Sequence, residues 1–351
     1  MPQEQVHVTG GVDTHGEQHV AAVLDDTGRL VATAAFSADA AGYRQLLAWL
    51  TSFGVLDRVG VEGTGCYGAG LARYLARQDV TVTEVNRPDR QARRRRGKSD
   101  PADAAAAARA ALNGDATAVP KAGTGPAESL RALRATRRSA MKARTQAANQ
   151  IAALTVTAPD PVRRRLAGLR PAARIAACAR LRPAGSIADP AVAARHALRL
   201  LARRHQALTA EVTDLDTAIT ALCAQASPAL LATPGVGPDT ASALLATAGD
   251  NPGRLRTEAS FAALCGASPL PASSGKTTRH RLNRGGDRQA NNALWRIAIV
   301  RLATDPHTRA YAARRTAEGK TSREIIRCLK RYIAREVYQI LTQPPPPLDT
   351  Q

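Results

Sequence analysis

A chain of 351 residues with 44% hydrophobic content is long enough for two or more separately cored domains. Its 49 Lys and Arg against 29 Asp and Glu leave a net charge of +20, which points to a polyanionic partner, nucleic acid first. No membrane partner is expected: no run of about 18 apolar residues could span a bilayer, and MPQEQVHVTG lacks a signal peptide's charged start and apolar stretch, so the expected location is cytoplasmic.

Five widely spaced cysteines, Cys66, Cys178, Cys223, Cys265 and Cys328, never form CxxC, which argues against a disulfide framework or a zinc site. An Arg- and Ala-rich composition can reflect coding bias, but bias spreads charge evenly whereas a binding surface concentrates it. Residues 1–122 hold 14 basic and 14 acidic side chains, residues 123–225 hold 17 and 6, and residues 226–351 hold 18 and 9. The positive excess therefore begins after residue 122.

Along residues 1–122 the strand signals VHVTGGVD, HVAAVLD and LVATAAF precede a helical AAGYRQLLAWLTSF, the strand RVGVEG, a helix from Gly68 to Arg77 and the strand VTVTEVN. This α/β order matches a ribonuclease-H-like sheet, although periodicity alone admits other α/β folds. Between residues 123 and 225, SLRALRATRRSAMKARTQAANQIAALTV and VAARHALRLLARRHQALTAEVTDLDTAITALCAQ repeat apolar residues every three or four positions, predicting two long helices in an antiparallel hairpin. Pro159, Pro161, Pro171 and Pro183 interrupt the link between them. Residues 226–343 read as mainly helical, with a Gly/Ser-rich segment around Pro269–Arg284 and a terminal helix in TSREIIRCLKRYIAREVYQIL. The tail 344–351, PPPPLDTQ, is expected to be disordered.

Asp13 closes the first strand and Glu62 a later one, so adjacent strands would bring the two carboxylates together. In KSDPADAAAAARAAL, Pro101 suits the first turn of a helix, and Asp100 and Asp103 lie three apart on one side of it. Each acid taken alone reads better as a helix cap or a solvated strand end than as a ligand. Four together would repel one another unless a cation compensated them, and hard cations such as Mg²⁺ take oxygen ligands and assist phosphodiester displacement. The preceding RQARRRRGK, with Arg93, Arg94, Arg95, Arg96 and Lys98, offers phosphate contacts or is a solvated basic linker.

LLATPGVGPDTASALLATAGD reads as helix, turn, helix, with Gly235 and Gly237 freeing backbone amides to face a phosphate in a helix-hairpin-helix; an ordinary helical hairpin is the alternative. ASPLPASSGKTTRHRLNRGGDRQANNALWRIA sets hydroxyl residues and Gly275 among Lys276, Arg279, Arg281, Arg284 and Arg288, although on physics alone a Ser-Gly pair is usually a turn. His15 and His19 flank a turn, and no histidine spacing matches a metal-ligand pattern. Trp295 and Tyr311 stand too isolated to predict a base-stacking platform.

GVDTH, VEGTGCYG, KSDPADA, TPGVGPDTA and SSGKTTRHRLNRGGDRQANNAL, in this order, resemble the motifs of the IS-one-ten, or DEDD, insertion-sequence transposases and the related Piv DNA invertases. That resemblance implies a RuvC-like nuclease domain in 1–122, a helical coiled-coil region in 123–225, and a transposase domain in 226–343 with a catalytic serine. It assigns Asp13, Glu62, Asp100 and Asp103 to Mg²⁺ and Ser274 to the nucleophile, with Ser273 competing. It further implies DNA recombination guided by a noncoding RNA made from the element itself; joining two duplexes predicts a homodimer or tetramer. The rival readings are a RuvC-like junction nuclease and a non-catalytic nucleic-acid-binding protein.

Overall fold

The structure is a computed structural model that describes residues 5–85, 99–273, 275 and 280–342. Arg93, Arg94, Arg95, Arg96, Lys98, Ser274, Lys276, Arg279 and the tail 344–351 lie outside the described residues. The chain divides into two compact units, one of residues 1–125 with 248–256 and the other of residues 126–247 with 257–351.

Unit one is built on strands β1 (His7–Thr14), β2 (Gln18–Asp25) and β3 (Leu30–Ser37), helix α1 (Ala40–Thr51), β4 (Val55–Glu62), α2 (Ala69–Arg77), β5 (Val82–Val85) and α3 (Asp100–Leu112). The sheet order is β3-β2-β1-β4-β5, with β1–β2 and β2–β3 antiparallel and β1–β4 and β4–β5 parallel. β1 is central and buried on both faces, with Val8, Gly10 and Val12 on one and Thr9, Gly11 and Asp13 on the other. On one face Val8, Val12, Val59 and Val61 form a core with Leu46 and Leu50 of α1 and Leu71 and Leu75 of α2. On the other, Val20 and Ala22 meet Ala104 and Ala105 of α3.

Unit two is helical apart from one short hairpin among the described residues. Helices α4 (Pro126–Thr157) and α7 (Pro190–Ala226) form the expected antiparallel pair, with Arg137 near the start of one bound to Asp216 near the end of the other. As the prolines predict, the two long helices are not one uninterrupted rod, and the link between them folds into short helices. Pro161 and Pro171 each fall in the first turn of a short helix, α5 (Asp160–Leu166) and α6 (Pro171–Ala179), where a missing N–H costs nothing. Val162, Leu166 and Cys178 from these helices cover Ile151 and Leu198 of the long pair.

The rest comprises α8 (Pro228–Ala232), α9 (Pro238–Ala248), α10 (Glu258–Leu264), the hairpin strands β6 (Leu270–Pro271) and β7 (His280–Arg281), α11 (Arg288–Thr304), α12 (Pro306–Ala317) and α13 (Ser322–Thr342). No helix among the described residues is long and apolar enough to cross a membrane.

Candidate active site

Asp13 and Glu62 come from neighbouring parallel strands. Val12 pairs with Val61, so the next residues, Asp13 and Glu62, stand side by side on one face of the sheet. Thr14 ties the strand ends by donating its hydroxyl to the Glu62 carbonyl at 2.8 Å. Two positions earlier on that face, Gly11 pairs with Gly60. Both lie beneath α3: a Cβ on Gly11 would sit 2.2 Å from the Ala108 nitrogen, and one on Gly60 2.4 Å from the Ala107 carbonyl oxygen.

Only glycine on the sheet and alanine on the helix allow so close a contact, which is why α3 buries Ala104, Ala105, Ala107, Ala108 and Ala111. With Ala108 against Gly11, the helix start reaches the strand ends that carry Asp13 and Glu62. Pro101 occupies the first turn, Asp103 is buried and Asp100 is half exposed. Acidic residues suit a helix start, where the backbone dipole is positive.

Asp13 is 7% exposed. Burial raises its carboxyl above the usual range; His15 draws it back down, and Asp103 and Asp100 push it up again. His15 Nε2 lies 3.2 Å from Asp13 Oδ2 and 3.5 Å from Asp100 Oδ1. Donor atoms of Asp13, His15 and Asp100 all fall within 4.8 Å of one another, the spacing that one ion could bridge. His19 takes the opposite face of the sheet, where its ring is buried and stacks on Tyr43 with centroids 5.7 Å apart.

In unit two, Gly235 adopts a left-handed φ of 78° in the turn before α9. The Gly237 amide donates to Thr240 Oγ1 at 3.0 Å, and Arg301 Nε donates to the Pro234 carbonyl at 2.8 Å. Asp239, in the first turn of α9, binds Arg134 at 2.9 Å and also pairs with Arg296. Arg281, Arg284 and Arg288 are exposed, as a nucleic-acid contact requires. Neighbouring polar residues have structural partners. Asn291 donates to the carbonyls of Cys265 and Gly266 at 3.0 and 2.9 Å, and Asp287 caps α11. Ser273 is exposed, and Gly275 has a φ of 56° with open space around it.

Residues 10–158 match the transposase family model of IS110-type DEDD enzymes, and residues 227–313 match the model described as Transposase IS116/IS110/IS902 family. The two segments together span about two thirds of the chain. The chain belongs to the IS110 transposase family.

Curated relatives of this IS110 family member include the insertion element IS110 uncharacterized 43.6 kDa protein of Streptomyces coelicolor, 38% identical over 106 residues, which are 30% of this chain and 26% of that protein. The insertion element IS900 uncharacterized 42 kDa protein of Mycobacterium paratuberculosis is 29% identical over 134 residues, 37% of this chain and 34% of its own length. The similarity thus spans about a quarter to a third of the relatives.

A DEDD domain implies a divalent metal, and the donor set fits one: buried Asp13, with Asp103 and Asp100 beside it, presents oxygen ligands whose mutual repulsion a cation would relieve. His15, unassigned from the sequence, is part of this cluster. The signal that could have found it is its position two residues beyond Asp13, past the strand end. Gly11 and Gly60 were missed as well; each precedes an acid by two residues, so each shares that acid's strand face.

Proposed function

We propose that this chain is a DNA transposase that cuts and rejoins strands through Ser274, with Mg²⁺ held by Asp13, Glu62, Asp100 and Asp103. The observation that supports this reading is the meeting of the strand-end Asp13 with the helix start that carries Asp100 and Asp103 on one face of a five-stranded sheet, with Glu62 at the end of the neighbouring strand. A β3-β2-β1-β4-β5 order with β1 at the centre is that of a ribonuclease-H-like, RuvC-type nuclease domain. A bound divalent ion would supply Lewis-acid stabilisation of charge developing on the phosphate.

The chain's own groups have distinct tasks. Asp13 and Asp103, buried and anchored, hold the ligand oxygens in place. Asp100, more exposed, stands where substrate enters. The Ser274 oxygen bonds to phosphorus as one strand P–O bond breaks. The serine proton passes to a base, the departing strand oxygen takes up a proton, and the bond count is conserved. A strand hydroxyl then reverses the step and frees the serine. Ser273 is the competing nucleophile.

Nucleic acid is held by the basic run of Arg93, Arg94, Arg95, Arg96 and Lys98, by the helix-hairpin-helix around Gly235 and Gly237 through groups other than the Gly237 amide, which Thr240 takes, and by Lys276, Arg279, Arg281, Arg284 and Arg288. The coiled-coil hairpin of residues 123–225 carries subunit association in a dimer or tetramer, or contact with an element-encoded guide RNA.

Trapping the covalent DNA–protein adduct tests the mechanism. The adduct should form with the unaltered chain and Mg²⁺, and vanish in Ser274→Ala and in Asp13→Asn with Asp103→Asn. An adduct that survives in Ser274→Ala removes the serine assignment. Metal-dependent cutting by Ser274→Ala without an adduct makes the chain a junction nuclease instead.

A further inference from the structure

Unit two contains a cavity of about 730 Å³ between the β6–β7 hairpin, with the residues just before it, and the helices α12 and α13. Seven Lys and Arg side chains line it against a single carboxylate, Glu324. Glu324 is held at the start of α13 by the Thr321 amide and hydroxyl at 2.9 and 2.7 Å. Most of these cations lie beyond residue 313, outside the segments matched to the family models.

Several of the cations are incompletely satisfied within the chain. Lys330 is 6% exposed, and its ammonium donates to Asn291 Oδ1 at 3.0 Å, a neutral acceptor. Burial, and then Arg327, holds that ammonium below its ordinary range. Arg331 pairs with Glu258 at 2.8 Å, yet its Nη1 is buried with no hydrogen-bond partner. An anion with several oxygens would complete such a set, because a buried charge is costly until it is paired.

The same cavity offers aromatic surface. Tyr311 and Tyr332 meet edge to face with centroids 5.7 Å apart, and Tyr332 is 51% exposed. Isolated in sequence, Tyr311 therefore gains its aromatic neighbour from the next helix. A hollow of about 350 Å³ adjoins the cavity, shares Lys330 with it, and carries Arg284, Arg288 and the half-exposed Trp295. Cavities of several hundred Å³ suit a ligand of nucleotide size rather than a duplex. Phosphate-binding cations beside exposed rings are the chemistry of single-strand recognition.

We infer that this cavity binds an unpaired nucleotide of a nucleic-acid strand, its base stacked on Tyr332 and its phosphates met by Lys330, Arg327 and Lys320. This rests on the reading of the chain as acting on nucleic acid, and adds that part of the substrate is held single-stranded. DNA opened at a cut site and a loop of RNA share the required chemistry.

Fluorescence anisotropy of the full chain, with labelled single-stranded DNA and RNA of about 12 nucleotides and a duplex of about 20 base pairs, tests it. Tyr332→Ala should weaken single-strand binding about tenfold and leave duplex binding within about twofold. Lys320→Ala with Arg327→Ala should reduce the slope of log affinity against log salt by about 1.4 for single strands. Preference for one oligonucleotide names the source, and equal losses on both confirm the shared chemistry. Variants that melt like the unaltered chain and bind single strands equally well overturn the inference, as do variants that lose single-strand and duplex affinity by the same factor. Metal-dependent DNA cutting by the unaltered chain is measured alongside. If cutting persists while the variants bind normally, the cavity inference fails alone; if cutting is absent while Tyr332→Ala loses single-strand binding, the transposase reading fails alone.

Discussion

Asp13 in unit one and Asp239 in unit two are both largely withdrawn from solvent, yet they meet opposite surroundings. Burial pushes the Asp239 carboxyl upward, but Arg134 and Arg296 more than offset this and hold it below the ordinary range. Burial also pushes Asp13 upward, and there Asp103 and Asp100 reinforce the rise while His15 opposes it. A carboxylate matched to arginines of its own unit belongs to the frame. A carboxylate set against other carboxylates is a place prepared for a cation from outside.

The largest effect should come from removing the unmatched acids. Asp13→Asn with Asp103→Asn should lower strand cutting by about 10³-fold or more, since a bound metal supplies several kcal/mol of charge stabilisation. The readout is single-turnover cleavage of labelled DNA. Asp239→Asn should leave metal-dependent stabilisation intact, and a comparable loss of it in that variant would break the contrast between the two aspartates.

Next in size is Gly11→Ala, which drives a Cβ into the backbone of α3. It should cost about 1–3 kcal/mol of stability in a denaturant titration. The unaltered chain should gain melting temperature on adding Mg²⁺, and because α3 carries Asp100 and Asp103 this variant should not. Ala108→Gly tests the same contact from the helix side without the clash, and should keep that rise.

Asp239→Asn should cost about 1–2 kcal/mol, less than for a fully buried pair, because a third of its side chain is exposed (33%). The smallest effect has the opposite sign. Asp13→Asn should raise the melting temperature of metal-free protein by about 2–4 °C at neutral pH.

The two aspartates also give opposite pH dependences. Asp13 titrates higher in the folded chain than its ordinary 3.8, so folding takes up a proton and stability falls as pH rises through that window. The gain in Asp13→Asn should therefore shrink towards zero by about pH 3. Asp239 titrates below 3.8, so its contribution is present at neutral pH and is lost as the pH drops through its lowered value. Melting curves in chelator across this range check both signs.

The placement of most of the candidate acids was legible because its signals are local. Strand alternation ends at Asp13 and at Glu62, and a proline in a helical first turn sets Asp100 and Asp103 on one side. The two long helices were legible from their apolar spacing. Features made by contacts across the chain were not. Tyr311 meets Tyr332 only after α12 and α13 fold against each other. Asp239 finds Arg134 and Arg296, 105 and 57 residues away. The Gly235–Gly237 turn looked open in sequence, yet Thr240 takes the Gly237 amide. Gly11 and Gly60 carry no chemistry of their own, so the contact they permit shows only once α3 lies over them.

The α4–α7 hairpin sets a length scale. At 1.5 Å per residue, the 37 residues of α7 form a rod about 55 Å long. One turn of B-form duplex rises about 34 Å. A double helix lying along α7 would find arginines only in the N-terminal half of the rod, Arg195, Arg199, Arg203 and Arg204, while the C-terminal half presents Glu211, Asp214 and Asp216. A stem shorter than a turn would leave part of the rod untouched.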